Sequence, residues 1–92
     1  MIIGRGKPVV VGTAARVVAH DDKKRVLVWF QNLDSSADVY ISCNPDVTSS
    51  MGYVLKAGKV FGYAGEAAQT KFFGISGGSV SVHVEEFFRV RG

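Results

Sequence analysis

The stretch Arg25-Val26-Leu27-Val28-Trp29-Phe30-Gln31-Asn32-Leu33 decides the fold. Its residues are β-branched and aromatic, and the i, i+3, i+4 spacing of an amphipathic helix is absent. Val26, Val28 and Phe30 fall on one parity; Leu27, Trp29 and Leu33 fall on the other. Asp21-Asp22-Lys23-Lys24 before it and Asp34-Ser35-Ser36 after it are turn-forming, so the run reads as one strand. Because both faces are apolar, the strand is expected to be central and covered on each side.

Working outward, the same period of two recurs between turn signals. Residues 7–11 and 15–20 read as short strands split by Gly12-Thr13, the first starting beside Pro8, which a strand start or edge tolerates. Residues 37–44 alternate, with Val39, Ile41 and Cys43 facing inward. Residues 44–52 form a long polar loop in which Asp46 is placed for an Asx-turn. Strands are expected again at 53–56 and 59–63, and Glu66-Ala67-Ala68-Gln69 supports a single helical turn. Residues 71–76 and 79–90 read as a final hairpin across Gly77-Gly78, where a two-residue loop calls for positive φ. The expectation is an all-β fold: an antiparallel β-sandwich or small barrel of seven to eight short strands, jelly-roll-like. Residues 1–6 read as an N-terminal arm and 7–92 as the one domain. Val26, Val28, Phe30, Val39, Ile41, Val80, Val82 and Val84 are the expected core.

The 92 residues, 47% hydrophobic and 21% charged, suffice for one core. The single Cys43 excludes an intramolecular disulfide framework and every multi-cysteine zinc pattern. No apolar run approaches the length of a membrane span, and the first eight residues do not read as a signal peptide. The net charge of +3 is uneven: up to Arg25 there are six basic residues against two acidic, and after it five against six. The excess predicts a local basic face suited to an acidic partner.

Residues for chemistry are few. Cys43 could pair with His20 or His83 as nucleophile and base, but its inward register reads as a small core residue. His83 and Glu85 share an outward register and could bracket a metal or a proton-transfer site, though a solvent-facing pair is the simpler reading. His20-Asp21-Asp22 matches no metal-binding spacing. Gly4-Arg5-Gly6 and Gly74-Ile75-Ser76-Gly77-Gly78 open no helix and so do not cradle phosphate. No catalytic set, metal or cofactor is expected. The pairs Phe72-Phe73 and Phe87-Phe88 each put one ring on the face away from the core. Phe72, Phe87, Phe88 and Trp29 are therefore the expected oligomer interface, the apolar surface having no use in a monomer. Asp46, Thr48, Met51 and Tyr53 are the candidate contacts of the long loop.

The order of features from Arg25 to Glu85 resembles the small β-sandwich modules of virion proteins of tailed bacteriophages. The matching run is Gln31-Asn32-Leu33, Asp38-Val39-Tyr40-Ile41, then Pro45-Asp46-Val47-Thr48-Ser49-Ser50-Met51-Gly52-Tyr53-Val54-Leu55-Lys56-Ala57-Gly58. It continues with Lys71-Phe72-Phe73-Gly74-Ile75-Ser76-Gly77 and Val80-Ser81-Val82-His83-Val84-Glu85. The departure is residues 59–69, where Phe61-Gly62-Tyr63-Ala64-Gly65 replaces a more regular strand. The resemblance implies a structural virion protein, foremost a capsid decoration (cement) protein. It would be made in the host cytoplasm and held on the outer capsid surface as a homotrimer bound to the major capsid protein. The arm residues Ile2, Ile3, Arg5 and Lys7 would then touch capsid or a neighbouring subunit. Neither membrane nor nucleic acid is expected as partner. The alternatives are a small nucleic-acid-binding β-barrel, suggested by the basic pI and the aromatics, and a carbohydrate-binding or adhesion module of a tail or head fibre, suggested by Trp29, Tyr40 and Tyr53.

Overall fold

In the computed structural model, which describes residues 1–90, the chain pairs from its ends inward. β1 (Ile2–Val11) runs with β8 (Val80–Arg89), β2 (Arg16–Ala19) with β7 (Phe72–Ser76), β3 (Arg25–Asn32) with β6 (Val60–Ala64), and β4 (Val39–Ser42) with β5 (Tyr53–Leu55). Lateral pairing of β3 with β8 and of β4 with β7 joins these into two four-stranded antiparallel sheets. Their orders are β1-β8-β3-β6 and β2-β7-β4-β5. Such nested pairing is a long hairpin rolled up on itself, the jelly-roll arrangement. A 3₁₀ turn (Gly65–Gln69) sits where the single helical turn was expected. At the turn between β5 and β6, Lys59 N–H donates to Lys56 O at 3.0 Å and Gly58 has φ +75, a conformation that glycine adopts without strain.

The inner faces meet in one core of Val9, Val11, Val18, Val28, Phe30, Val39, Ile41, Leu55, Phe72, Val80, Val82 and Val84 with small residues between them. Phe30 packs edge-on against Phe72, with ring centroids 5.3 Å apart. The predicted core residues are all buried except Val26. A bulge in β3 between Arg25 and Leu27 explains the exception. The extra residue reverses the parity, so Arg25 points inward and is 0% exposed while Val26 is half-buried.

Five further expectations are corrected. Residues 1–6 are no arm: β1 begins at Ile2 and pairs with β8 along its whole length, Ile2 opposite Arg89 and Gly6 opposite Glu85. The glycines there serve close packing against the Phe87 and Glu85 side chains. Of the 7–92 span, Arg91 and Gly92 lie outside the described residues. The β7–β8 hairpin is absent, because β7 pairs with β2 and β4 while β8 pairs with β1 and β3. Gly77 and Gly78 therefore carry the chain from one sheet to the other, and neither has positive φ. Cys43 is exposed because β4 ends at Ser42, before the alternation reaches it. The Asx-type bond in the long loop is made by Asn44, whose Oδ1 accepts Asp46 N–H at 2.9 Å, so Asp46 is its donor and not its acceptor. Finally, β3 is central, but its second face is open: Trp29 is 41% exposed.

Candidate docking surface

The two sheets differ in length, and that difference makes the site. β1 and β8 each have ten residues, whereas no strand of the opposing sheet exceeds five. The core covers β1 only at Val9 and Val11 and β8 only at Val80, Val82 and Val84. Beyond that, the first half of β1 and the second half of β8 form an overhanging ribbon. Its inner parity carries Ile3, Arg5 and Lys7 from β1 and Glu86 and Phe88 from β8, with no strand opposite.

Under this overhang lies an open groove of about 950 Å³. Its apolar floor is Val26 and Phe88 with the exposed Val90 and Met1 beside them, and its rim carries Arg5, Lys23, Lys24 and Arg89 against, among the described residues, the single carboxylate of Asp22. The Arg5 guanidinium stands 5.3 Å from the centroid of the Phe88 ring. Asp22 is occupied in its own turn, where Oδ1 accepts Lys24 N–H at 2.8 Å. Among the described residues, none of the four rim cations has a salt-bridge partner.

One wall of the groove is fixed by a network that the sequence did not announce. Buried Arg25 donates through Nη1 to His20 O at 2.6 Å and to Glu86 Oε2 at 2.8 Å, through Nη2 to Thr70 O at 2.6 Å, and through Nε to Ala68 O. Its guanidinium also lies 5.9 Å from the Phe72 ring centroid. One side chain thus ties β3 to β8, to the 3₁₀ turn and to the chain before the lysine turn. The only signal for it in the sequence was a charged residue opening an otherwise apolar strand, and that reads equally well as a strand end.

On the opposite, outer face of the same sheet aromatic side chains are left uncovered, Trp29 among them. Trp29 and Phe87 meet there with ring centroids 5.9 Å apart. A Cβ at Gly4 would sit 3.1 Å from the Phe87 ring, and one at Gly6 would sit 2.5 Å from Glu85 Oε1. Glycine at both positions lets the β8 side chains lie across β1. His83 Nε2 and Glu85 Oε1 face each other at 2.8 Å beside Gly6. Among the described residues, no cluster of three or more metal-ligating side chains forms.

The predicted site residues therefore sort unequally. Ile2, Ile3, Arg5 and Lys7 are all exposed, on β1. Trp29 and Phe87 come together on the outer face, and Phe88 lies in the groove with Arg5. Phe72 is a correction: at 2% exposed it is core, and the outward member of its pair is Phe73. Asp46, Thr48 and Met51 are exposed in the long loop, where Thr48 and Met51 form an isolated bridge. Tyr53 has a structural part, stacking on Phe61 of β6 with centroids 3.7 Å apart and so closing the edge where the two sheets meet. Sequence reasoning missed Lys23, Lys24 and Arg89 as partners of Arg5, because only the rolled topology brings them to one rim. In comparisons with known proteins, the chain matches no protein-family model and no curated protein.

Proposed function

We propose that the protein is a structural docking module of a tailed-bacteriophage virion, a capsid decoration protein that holds an acidic strip of the major capsid protein in the groove under its overhang. The observation that carries this reading is the groove itself: an apolar floor rimmed by Arg5, Lys23, Lys24 and Arg89 with Asp22 as the one acidic residue. Cations that have no salt-bridge partner among the described residues attract an acidic surface over roughly a Debye length, and the floor at Phe88 and Val26 offers apolar contact once docked. Many copies on a lattice make individually weak contacts collectively strong. The resemblance of the Arg25-to-Glu85 run to virion sandwich modules supplies the setting. No catalytic part is proposed for the exposed Cys43 or for the His83–Glu85 pair.

Co-sedimentation tests the reading directly. The protein should pellet with shells assembled from the major capsid protein of the same virus, and the double variant Lys23→Glu, Lys24→Glu should stay in the supernatant while keeping its fold. Retention of that variant on shells would remove the groove from the function. Tight, salt-sensitive retention of the wild type on single-stranded DNA, without shell binding, would replace the capsid by a nucleic acid.

A further inference from the structure

We infer that two copies of the chain join edge to edge through β1, in one register, to make a continuous eight-stranded sheet with a two-fold axis at Gly4. β1 is the terminal strand of its sheet, with β8 on one side and, among the described residues, no strand on the other. The phase of its hydrogen bonds is set at Met1, whose N and O both exchange bonds with Val90, at 3.3 and 2.9 Å. In an antiparallel pair such positions alternate, so odd-numbered residues of β1 bond to β8 and even-numbered ones turn N–H and C=O to the open side.

Along that open side, Val10 O is already taken by Arg16 Nη1 at 2.8 Å, and Pro8 has no N–H. Ile2, Gly4 and Gly6 remain, all exposed and each with donor and acceptor free among the described residues. This set is self-complementary. With Gly4 opposite Gly4 and Ile2 opposite Gly6, three residue pairs exchange six backbone hydrogen bonds, and Pro8 falls outside the pairing. A shift of two residues one way sets Arg5 against Arg5 and spends a position on the donorless Pro8; the other way leaves Gly6 unpaired. In the Gly4-centred register Arg5 faces Ile3 and Lys7 faces Met1, so no two like-charged side chains stand directly opposite, and the Met1 ammonium is turned to Val90 O of its own chain.

Packing favours the same register. The Phe87 ring lies across Gly4, so Gly4 against Gly4 sets the two rings side by side at the axis and continues the Trp29–Phe87 face from one copy into the next. The paired half of β1 is the overhang, which leaves the two sandwich bodies at opposite ends of the joined sheet. The pairing stands independently of what the groove binds.

Sedimentation equilibrium of the full chain tests it. A dimer is expected, and Ile2→Pro removes one open-edge donor from each copy without touching a β1–β8 bond. Its dissociation constant should rise roughly tenfold, the factor that a loss of about 1.4 kcal/mol produces, while the circular dichroism spectrum stays the same. Two variants at Ile3 read the register and do not depend on that proline being tolerated. Ile3→Glu, set opposite Arg5 of the other copy, should tighten the dimer, and Ile3→Lys should loosen it. A wild type that is monomeric at every concentration overturns the inference, as does a dimer that the two Ile3 variants fail to move in opposite directions.

Discussion

Arg25 shows how much one side chain can organise. Its guanidinium satisfies three backbone carbonyls and the Glu86 carboxylate inside the protein, and its residue is wholly buried. Removing it leaves those acceptors and one carboxylate without a partner, so Arg25→Ala should cost about 3 to 5 kcal/mol, read from urea denaturation. Phe30→Ala should cost a similar amount, about 3 to 5 kcal/mol, by lost burial and a cavity against Phe72. The two should differ in kind: only Arg25→Ala should also shift amide signals in the Gly65–Gln69 turn, which Arg25 anchors through Ala68 O. Asp34 carries a pH signature. Its Oδ2 accepts Ala37 N–H at 2.7 Å and Ser36 N–H at 2.9 Å, and these bonds, Ala37's foremost, hold its carboxyl below the usual aspartate range. A folded-state value below the unfolded one gives a contribution that is fully present above the unfolded value and is lost as pH falls through the folded one. Asp34→Asn should therefore lower stability at neutral pH and flatten its decline between about pH 5 and pH 2, a difference visible in urea midpoints along that range.

At the level of strands, period-two alternation was enough to find most of the sandwich, because one buried face per strand writes itself into the sequence. It failed where parity or pairing depended on something non-local. The bulge at Val26 exchanged the inward residue for Arg25, and no local pattern distinguishes a bulged strand from a straight one. Gly4 and Gly6 fell in the stretch read as an arm but are set by the Phe87 and Glu85 side chains lying above them, some eighty residues away in the chain. The basic rim was half legible, as an N-terminal charge excess, whereas Arg89 reaches it only because β8 returns beside β1. The reassignment of residues 1–6 from arm to strand has a direct consequence. By the alternation fixed at Met1 and Val90, the amides of Glu86 and Phe88 bond to Arg5 and Ile3, while those of Val80 and Val82 bond to Val11 and Val9. Deleting Met1 to Gly6 should accelerate hydrogen exchange at Glu86 and Phe88 and leave Val80 and Val82 protected. A detachable arm would leave all four unchanged.

For the whole molecule, the unequal sheets separate stability from recognition. The short sheet and the halves of β1, β3 and β8 that it covers hold the core, and the uncovered remainder presents a cationic groove on one side and an aromatic face on the other. A net charge of only +3 cannot by itself make a strong field, so position must do what magnitude does not. This can be tested by reversing equal charge in two places. Lys23 and Lys24 stand on the groove rim, whereas Lys59 and Lys71 are exposed residues outside it. Lys23→Glu with Lys24→Glu and Lys59→Glu with Lys71→Glu change the net charge identically. If attraction followed net charge, both double variants would lose binding to an acidic surface to the same extent, and both would lose it in the same way as salt is raised. If the groove is the site, the Lys59 and Lys71 pair should retain nearly full binding to capsid shells in co-sedimentation. The Lys23 and Lys24 pair should lose most of it, the wild type's own binding should weaken as the Debye length contracts from about 10 Å at 0.1 M salt to about 3 Å at 1 M, and the residual binding at high salt should disappear on Phe88→Ser, which removes the apolar floor.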